Sequence, residues 1–212
     1  MKKLPVDIQT FETMREDGYL YVDKTRFIHR MVDTGRFFFL SRPRRFGKSL
    51  TVSTLNCLFR GMKELFQGLW IVEHGNWEWG EYPVISIDFN GLSCDTPENL
   101  ALSLEESLLN TAKDHGVSLD SKLLKGKFKE LILSLHKITG MPVIVLVDEY
   151  DKPLIDHLGK GDESLDKGLK NRDILKSFLG VLKDGQVSGK LRFVFITGVS
   201  KFSRVSIFSE LN

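Results

Sequence analysis

Phe37-Phe38-Phe39-Leu40-Ser41-Arg42-Pro43-Arg44-Arg45-Phe46-Gly47-Lys48-Ser49-Leu50 is the stretch from which the rest of the chain is read. Four apolar residues in succession suit a buried strand. The basic run after them, carrying one Pro and one Gly, suits a tight loop. Gly47-Lys48-Ser49 then opens a segment compatible with a helix. Those three residues at a strand-to-helix junction are what phosphate binding needs. Glycine lets the backbone approach a phosphate, the Lys48 ammonium neutralises the β- and γ-phosphates, and the Ser49 hydroxyl is offered to Mg²⁺. The helix N-terminus adds free N–H groups and the positive end of a dipole. The general spacing G-x-x-x-x-G-K-[ST] would place its first Gly at Arg42, so the match is incomplete. The competing reading is a surface turn before a helix, and the apolar strand directly upstream weighs against it.

The chain has 212 residues, enough for one sizeable α/β domain. Hydrophobic residues make up 42% and charged residues 27%, which predicts a folded, soluble protein. Thirty Lys and Arg against 28 Asp and Glu give a net charge of +2, which argues against nucleic-acid binding by the domain as a whole. The cluster Arg42, Arg44, Arg45 and Lys48 is local and suits a small polyanion. Cys57 and Cys94 form neither a metal spacing nor a disulfide framework. Met1-Lys2-Lys3 is followed by Leu4-Pro5-Val6-Asp7 rather than an apolar signal core, and no apolar run approaches the ~18 residues of a membrane helix. The expected location is cytoplasmic.

Along the chain, Tyr19 to Val22 reads as a short strand, with Asp23 capping a helix over Lys24 to Val32 that closes at Gly35. The strand Phe37 to Leu40 feeds the basic loop, and the helix from Lys48 runs to about Phe59. Leu65 to Tyr82, with Trp70, Trp77 and Trp79, reads as an irregular aromatic cover over one side of the core. Val84 to Phe89 is a second strand. Pro97 to Asp114 is a helix capped by Thr96, and Leu119 to Ile138 is another. Val143 to Val147 is apolar throughout, as in a strand buried on both faces. Gly159 to Gly168 is polar and of mixed charge, the best candidate for a mobile loop. Asn171 to Leu182 is helical again, and Leu191 to Thr197 is a fourth strand. Alternating strands and helices predict an α/β fold with a parallel sheet, whose ligand lies at the carboxyl ends of the strands.

Three of those strand ends carry candidate residues. Val143 to Val147 finishes in Asp148-Glu149, as in a Walker B element. Asp148 would hold Mg²⁺ through water, opposite Ser49, and Glu149 would polarise the attacking water. The bland reading is a strand leaving into a solvated acidic loop, Asp148 to Lys152. Thr197 ends the fourth strand and fits a residue that contacts the γ-phosphate or the lytic water, with Ser200 as a fallback. Asp88 ends the second strand, either as a supporting carboxylate or as the cap of an Asx-turn. No Asn-Lys-x-Asp is present, so ATP is favoured over GTP. His29, His74, His115, His136 and His157 are assigned no chemistry; His157 follows two acids, but a helical surface explains it as well.

Tyr21-Val22-Asp23-Lys24-Thr25, Arg42 to Leu50, Val147 to Pro153 and Thr197 to Ser203 together resemble the AAA-ATPase-like family of bacterial proteins. Four motifs in order over nearly the whole chain make the resemblance specific. It implies a P-loop NTPase three-layer sandwich spanning residues 1–212 as one domain, with Arg-Pro-Arg-Arg-Phe-Gly-Lys-Ser as the family's own loop. The implied nucleotide-binding stretch is Arg44, Arg45, Phe46, Gly47, Lys48, Ser49 and Leu50. The implied metal ligands are Ser49 and Asp148, and the catalytic set is Lys48, Glu149 and Thr197, with ATP and Mg²⁺ as cofactors. The Tyr-Val-Asp-Lys-Thr stretch is expected near the base. Family members continue into a fifth strand, a lid and often a restriction-endonuclease-like nuclease domain. The chain is therefore expected to be the N-terminal part of a longer architecture, with the strand feeding the loop at a sheet edge.

Three functions follow from these residues. The first is Mg²⁺-dependent ATP hydrolysis driving an effector domain. The second is a nucleotide switch with negligible turnover, which Glu149 counts against. The third is a nucleic-acid module built on Arg42, Arg44 and Arg45, which the small net charge counts against. An arginine finger would come from a neighbouring subunit, with Arg204 as one donor and a solvated surface Arg as the alternative.

Overall fold

The strand Val143–Asp148 (β3) is buried along its whole length. It lies between Val84–Asp88 (β2) and Leu191–Gly198 (β4), and Phe37–Ser41 (β1) pairs with the far side of β4. The sheet order is therefore β1-β4-β3-β2, and every pairing is parallel. The computed structural model describes residues 3–199. Ser200 and Arg204 lie outside the described residues. Among the described residues β1 is an edge strand, as its place beside β4 alone requires.

Alternation along the strands sends side chains to two helical layers. On one face Ile85, Ile87, Val145, Val147, Val194 and Ile196 meet Pro97–Asp114 (α5), Leu124–Thr139 (α6) and Asp162–Gly180 (α8). Phe128 and Phe178 stack there at 4.3 Å between ring centroids, fixing α6 against α8. On the other face Ile144, Leu146, Phe193 and Phe195 meet Lys48–Phe59 (α3), whose Leu55, Leu58 and Phe59 are fully buried. Thr25–Thr34 (α2) and Phe11–Glu16 (α1) complete this layer through Ile28, Val32 and Phe11. Each such large apolar side chain stabilises the fold by roughly 1.5–3 kcal/mol on burial. The result is the expected three-layer α/β sandwich.

Trp70–Glu73 (α4) and the segment around it cover the α3 side. Phe66 and Ile71 are buried, and Trp77 and Trp79 pack edgewise or tilted against Phe59 and Phe66. This is the cover that the aromatic stretch predicts.

Several expectations need correction. Tyr19 to Val22 is not a sheet strand; only an isolated bridge joins Tyr19 to Lys3. Leu20, Tyr21 and Val22 line a cavity instead of pairing in the sheet. The sixth helix begins at Leu124 rather than Leu119, because the Asp120 and Ser121 N–H groups both donate to Glu130 Oε2 and hold the preceding turn outside the helix. Most of Gly159 to Gly168 is helix rather than loop. Helix α8 starts at Asp162, and the mixed charges that resemble a loop are (i, i+4) ion pairs on its surface, Glu163–Lys167 and Asp166–Lys170. Lys152–Ile155 (α7) and Gly185–Ser188 (α9) are short helices that follow β3 and precede β4.

Parallel pairing aligns the carboxyl ends. Asp88 sits beside Asp148, Leu40 beside Thr197, and Ser41 beside Gly198.

Candidate functional site

The chain leaves β1 and enters α3 through residues 42–47. Gly47 has φ 72° and ψ 27°, the left-handed conformation that glycine adopts without steric cost. Arg45 takes φ 68° in the same loop, which costs a non-glycine residue about 1–2 kcal/mol. Two left-handed residues turn the backbone sharply just before the N-terminus of α3. Arg42, Arg44 and Arg45 stay exposed around the turn, and the Phe46 ring is 65% exposed. The Thr51 hydroxyl donates to Gly47 O at 2.9 Å and ties the loop to the helix.

Lys48 goes the other way. Its residue is 4% exposed, and Nζ donates to Pro43 O at 3.2 Å within the loop. The same ammonium stands 4.0 Å from Glu149 Oε1. A buried ammonium requires such partners, since desolvation without them is costly. Ser49 is partly buried on the first turn of α3, and among the described residues it shares no hydrogen bond with Asp148. Leu50 faces the cavity described below.

The opposing wall comes from β3 and β4. Asp148 is 3% exposed and Thr197 is fully buried. The Thr197 hydroxyl donates to Asp148 Oδ1 and accepts the Glu149 N–H at 3.1 Å. Tyr150 N–H donates to the Thr197 carbonyl at 3.0 Å. Glu149 has φ 51°, a strained backbone of the kind that clusters at ligand sites. The acidic run is not a solvated loop: Tyr150 and Asp151 are buried, and Asp151 Oδ2 accepts Val199 N–H at 2.9 Å. Gly198 must be glycine, because an added Cβ would lie 2.6 Å from Tyr150 Cε1 and 2.9 Å from Asp151 Oδ1. Sequence reasoning passed over Asp151 and Gly198; the available signal was their place beside the two strand ends already singled out.

A cavity of about 410 Å³ opens beside Gly47. Leu20, Tyr21, Val22, Phe46, Leu50 and Thr54 form much of its wall. The Tyr-Val-Asp-Lys-Thr stretch divides here. Tyr21, Val22 and Lys24 face the cavity, while Asp23 and Thr25 fasten α2 to α4. Asp23 accepts from Thr25 N at 2.8 Å, Thr25 Oγ1 at 2.7 Å and Trp70 N at 2.7 Å. Burial would raise its carboxyl, but these three bonds outweigh it and hold the group below the usual carboxylate range. Burial pushes the Tyr21 phenol upward, so it stays protonated.

Two other candidates take structural places. Asp88 accepts Asn90 N–H at 2.9 Å, which is the Asx-turn reading. His157 is not on a helical surface; it is buried, with Nε2 at 2.9 Å from Cys94 O and Nδ1 at 3.0 Å from Ser164 Oγ. Among the described residues no three His, Cys, Asp or Glu side chains cluster as a metal site, and no helix is long and apolar enough to cross a membrane.

The family described as Predicted AAA-ATPase matches residues 5–208. An uncharacterized protein encoded in the vnfD 5′ region of Azotobacter chroococcum mcd 1 is 42% identical over 213 residues. That alignment covers all of this chain and 40% of the relative, so the chain spans two-fifths of the relative's length. No solved structure matches the chain. Membership in a family of predicted ATPases supports nucleotide binding, and with the match running over nearly its full length, this chain belongs to the AAA-ATPase-like family.

Proposed function

We propose that the chain binds ATP with Mg²⁺ between the 42–47 loop and the ends of β3 and β4, and hydrolyses it. The observation that carries this reading is the approach of Lys48 Nζ to Glu149 Oε1, 4.0 Å apart in a largely buried setting. A cation that binds phosphate oxygens and an acid that orients water must face one another across the reacting bond.

The residues present fit the nucleotide and the metal. Gly47 and the first turn of α3 supply backbone N–H groups and a positive dipole end for phosphate oxygens. The Ser49 hydroxyl and the second carboxylate oxygen of Asp148 are hard oxygen donors, which is the chemistry Mg²⁺ prefers. When bound, Mg²⁺ would neutralise charge on the β- and γ-phosphates. Lys48 exchanges Pro43 O and Glu149 for the phosphates. Glu149 then accepts a proton from water as the water oxygen attacks the γ-phosphorus, whose bond to the β–γ bridging oxygen breaks and releases ADP. Thr197 holds the Asp148 carboxylate in place and fixes the Glu149 backbone through its N–H. The cavity beside Gly47 takes the base. Among the described residues no Asp or Glu lines it, so guanine's donor edge would find no carboxylate from them there, which favours adenine. Arg44, Arg45 and Phe46 contact the nucleotide from the exposed side of the loop. The conformational change on hydrolysis would drive a separate effector domain.

Calorimetric titration of the chain with ATP and Mg²⁺, set beside Lys48→Ala, tests the reading. Binding that survives Lys48→Ala undiminished overturns it.

A further inference from the structure

On the far side of the β3–α7 segment lies a second cavity, of about 590 Å³, which shares no lining residue with the first. Loop residues after β2, the α7 segment and the start of α8 enclose it. Lysines reach it from three places: Lys152 at the start of α7, Lys160 in the turn before α8, and Lys167 in the second turn of α8. Ser93 adds a hydroxyl, while the Ser164 hydroxyl, also in the wall, is engaged by His157 Nδ1 at 3.0 Å. The cavity also holds two carboxylates, Asp95 and Asp156. Both Asp95 oxygens already accept from the Asn99 amide at 3.1 Å, and Asp156 is covered by Lys152. Lys167 pairs with Glu163, whose side chain is 88% exposed and so exchanges readily with another anion. Among the described residues Lys160 makes no ion pair.

We propose that this cavity is a binding site for a compact phosphate-bearing anion, and that its occupancy is felt at Glu149. The volume falls within the range of small-ligand sites. Among the described residues no Phe, Tyr or Trp lines it, and the His157 ring in its wall is held at both nitrogens by Cys94 O and Ser164 Oγ, so little there would stack on a base or hold a lipid chain. Lysines are point charges that can converge on a tetrahedral dianion, whereas a planar carboxylate is better matched by the fork of an arginine, and none lines the cavity.

The link to Glu149 is short and covalent. Lys152 lies three residues beyond Glu149, and its N–H donates to the Glu149 carbonyl at 3.0 Å. The start of α7 is also held from α8. Asn171 Nδ2 donates to Pro153 O at 2.9 Å and to Cys94 O at 3.0 Å. Cys94 O also receives His157 Nε2–H, so in the neutral ring Nδ1 accepts the Ser164 hydroxyl. An anion that takes a share of Lys152 while that ammonium stays on Asp156 therefore acts on a rigid one-turn element that begins beside Glu149. The coupling rests on the proposed role of Glu149; binding in the cavity does not.

The test uses pyrophosphate on the full chain with the first site disabled. In Lys48→Ala, pyrophosphate should still bind by calorimetry. Adding Lys160→Ala and Lys167→Ala should weaken it by about tenfold each, as for a lost charge-assisted hydrogen bond. Failure of Lys48→Ala to bind pyrophosphate, or binding that ignores both lysine changes, overturns the proposal. If Lys48→Ala does not fold, wild-type chain saturated with ATP analogue and Mg²⁺ replaces it, and the same two outcomes decide. A 5′-phosphorylated oligonucleotide run in parallel separates the sources: competition with pyrophosphate only when phosphorylated assigns a nucleic-acid terminus, and no competition assigns a small molecule. For the coupling, saturating pyrophosphate should change kcat for ATP in wild type but not in Lys160→Ala/Lys167→Ala. An equal response in both removes the link to Glu149.

Discussion

Lys48 Nζ and Glu149 Oε1 approach to 4.0 Å although their parent strands are not neighbours. Lys48 follows β1, Glu149 follows β3, and β4 lies between. Two strand spacings amount to roughly 10 Å, which a long Lys side chain and a Glu side chain can close only over the end of the middle strand. Residues at the end of β4 therefore form the floor of the pair, and Thr197 and Gly198 occupy that floor.

Lys48→Ala is expected to weaken ATP binding by about 2–4 kcal/mol, the cost of removing one partner of a buried charge contact. The change also leaves Glu149 without its cation. Calorimetry gives the affinity, and a thermal melt of the unliganded chain reads the second effect as a lower Tm.

Glu149→Gln keeps the shape of the side chain and removes its basicity. Turnover should fall by roughly 10²–10⁴-fold, the usual range for a general base, while ATP affinity changes little. A variant that hydrolyses at the wild-type rate would take Glu149 out of the mechanism and leave a nucleotide-binding switch.

The sheet and most helices were legible because hydrophobic period and caps agree with the fold. Val143 to Val147 is apolar at every position and is the central buried strand; Thr96 caps α5 through Asn99 N–H at 3.1 Å. Helix α8 was misread because its start is held by ion pairs between residues four apart, and a list of charges does not show its own spacing to a search for apolar periodicity. The first helix, Phe11–Glu16, is short and gains its stability from packing Phe11 and Met14 into the core, a tertiary effect. At the site, Gly47, Lys48 and the Asp148-Glu149 pair stood out as local motifs. Asp151 did not, since its role depends on meeting Val199, just past the end of β4.

Thr197→Val preserves volume and deletes the hydroxyl. Asp148 Oδ1 then loses its donor and the Glu149 N–H its acceptor, both in buried surroundings. Stability should drop by about 1–3 kcal/mol, the penalty for unpaired buried polar groups. Thr197→Ser retains the hydroxyl and should recover most of the turnover lost in Thr197→Val. Urea unfolding and ATPase rates on the two variants check this, and equal rates in both would remove the hydroxyl from the site's geometry.

Gly198→Ala introduces a single methyl against Tyr150 and Asp151. Neither neighbour can retreat easily, because Tyr150 is fully buried and Asp151 is held by Val199 N–H. The expected destabilisation is about 1–3 kcal/mol, as for overpacking in a close-packed interior. Because the displaced residues adjoin Glu149, turnover should fall with stability; a variant with a lower Tm and unaltered kcat would separate the packing from the chemistry.

Cys57 offers a test of how tightly α3 packs behind the 42–47 loop. Burial is the main cause that pushes its thiol from 9.0 up to about 11. Between those values the unfolded chain gives up the thiol proton while the folded chain keeps it. The folded state then binds more protons, so stability is unaffected below pH 9 and falls as pH rises toward 11. The loss amounts to roughly 1.4 kcal/mol per pH unit within that window. Other groups titrate there as well, so the quantity to measure is the difference in urea unfolding free energy between wild type and Cys57→Ala. That difference should shift in favour of Cys57→Ala as pH rises from 9 to 11. A difference independent of pH would mean that the thiol ionises normally in the folded chain, and that solvent reaches the core face of α3.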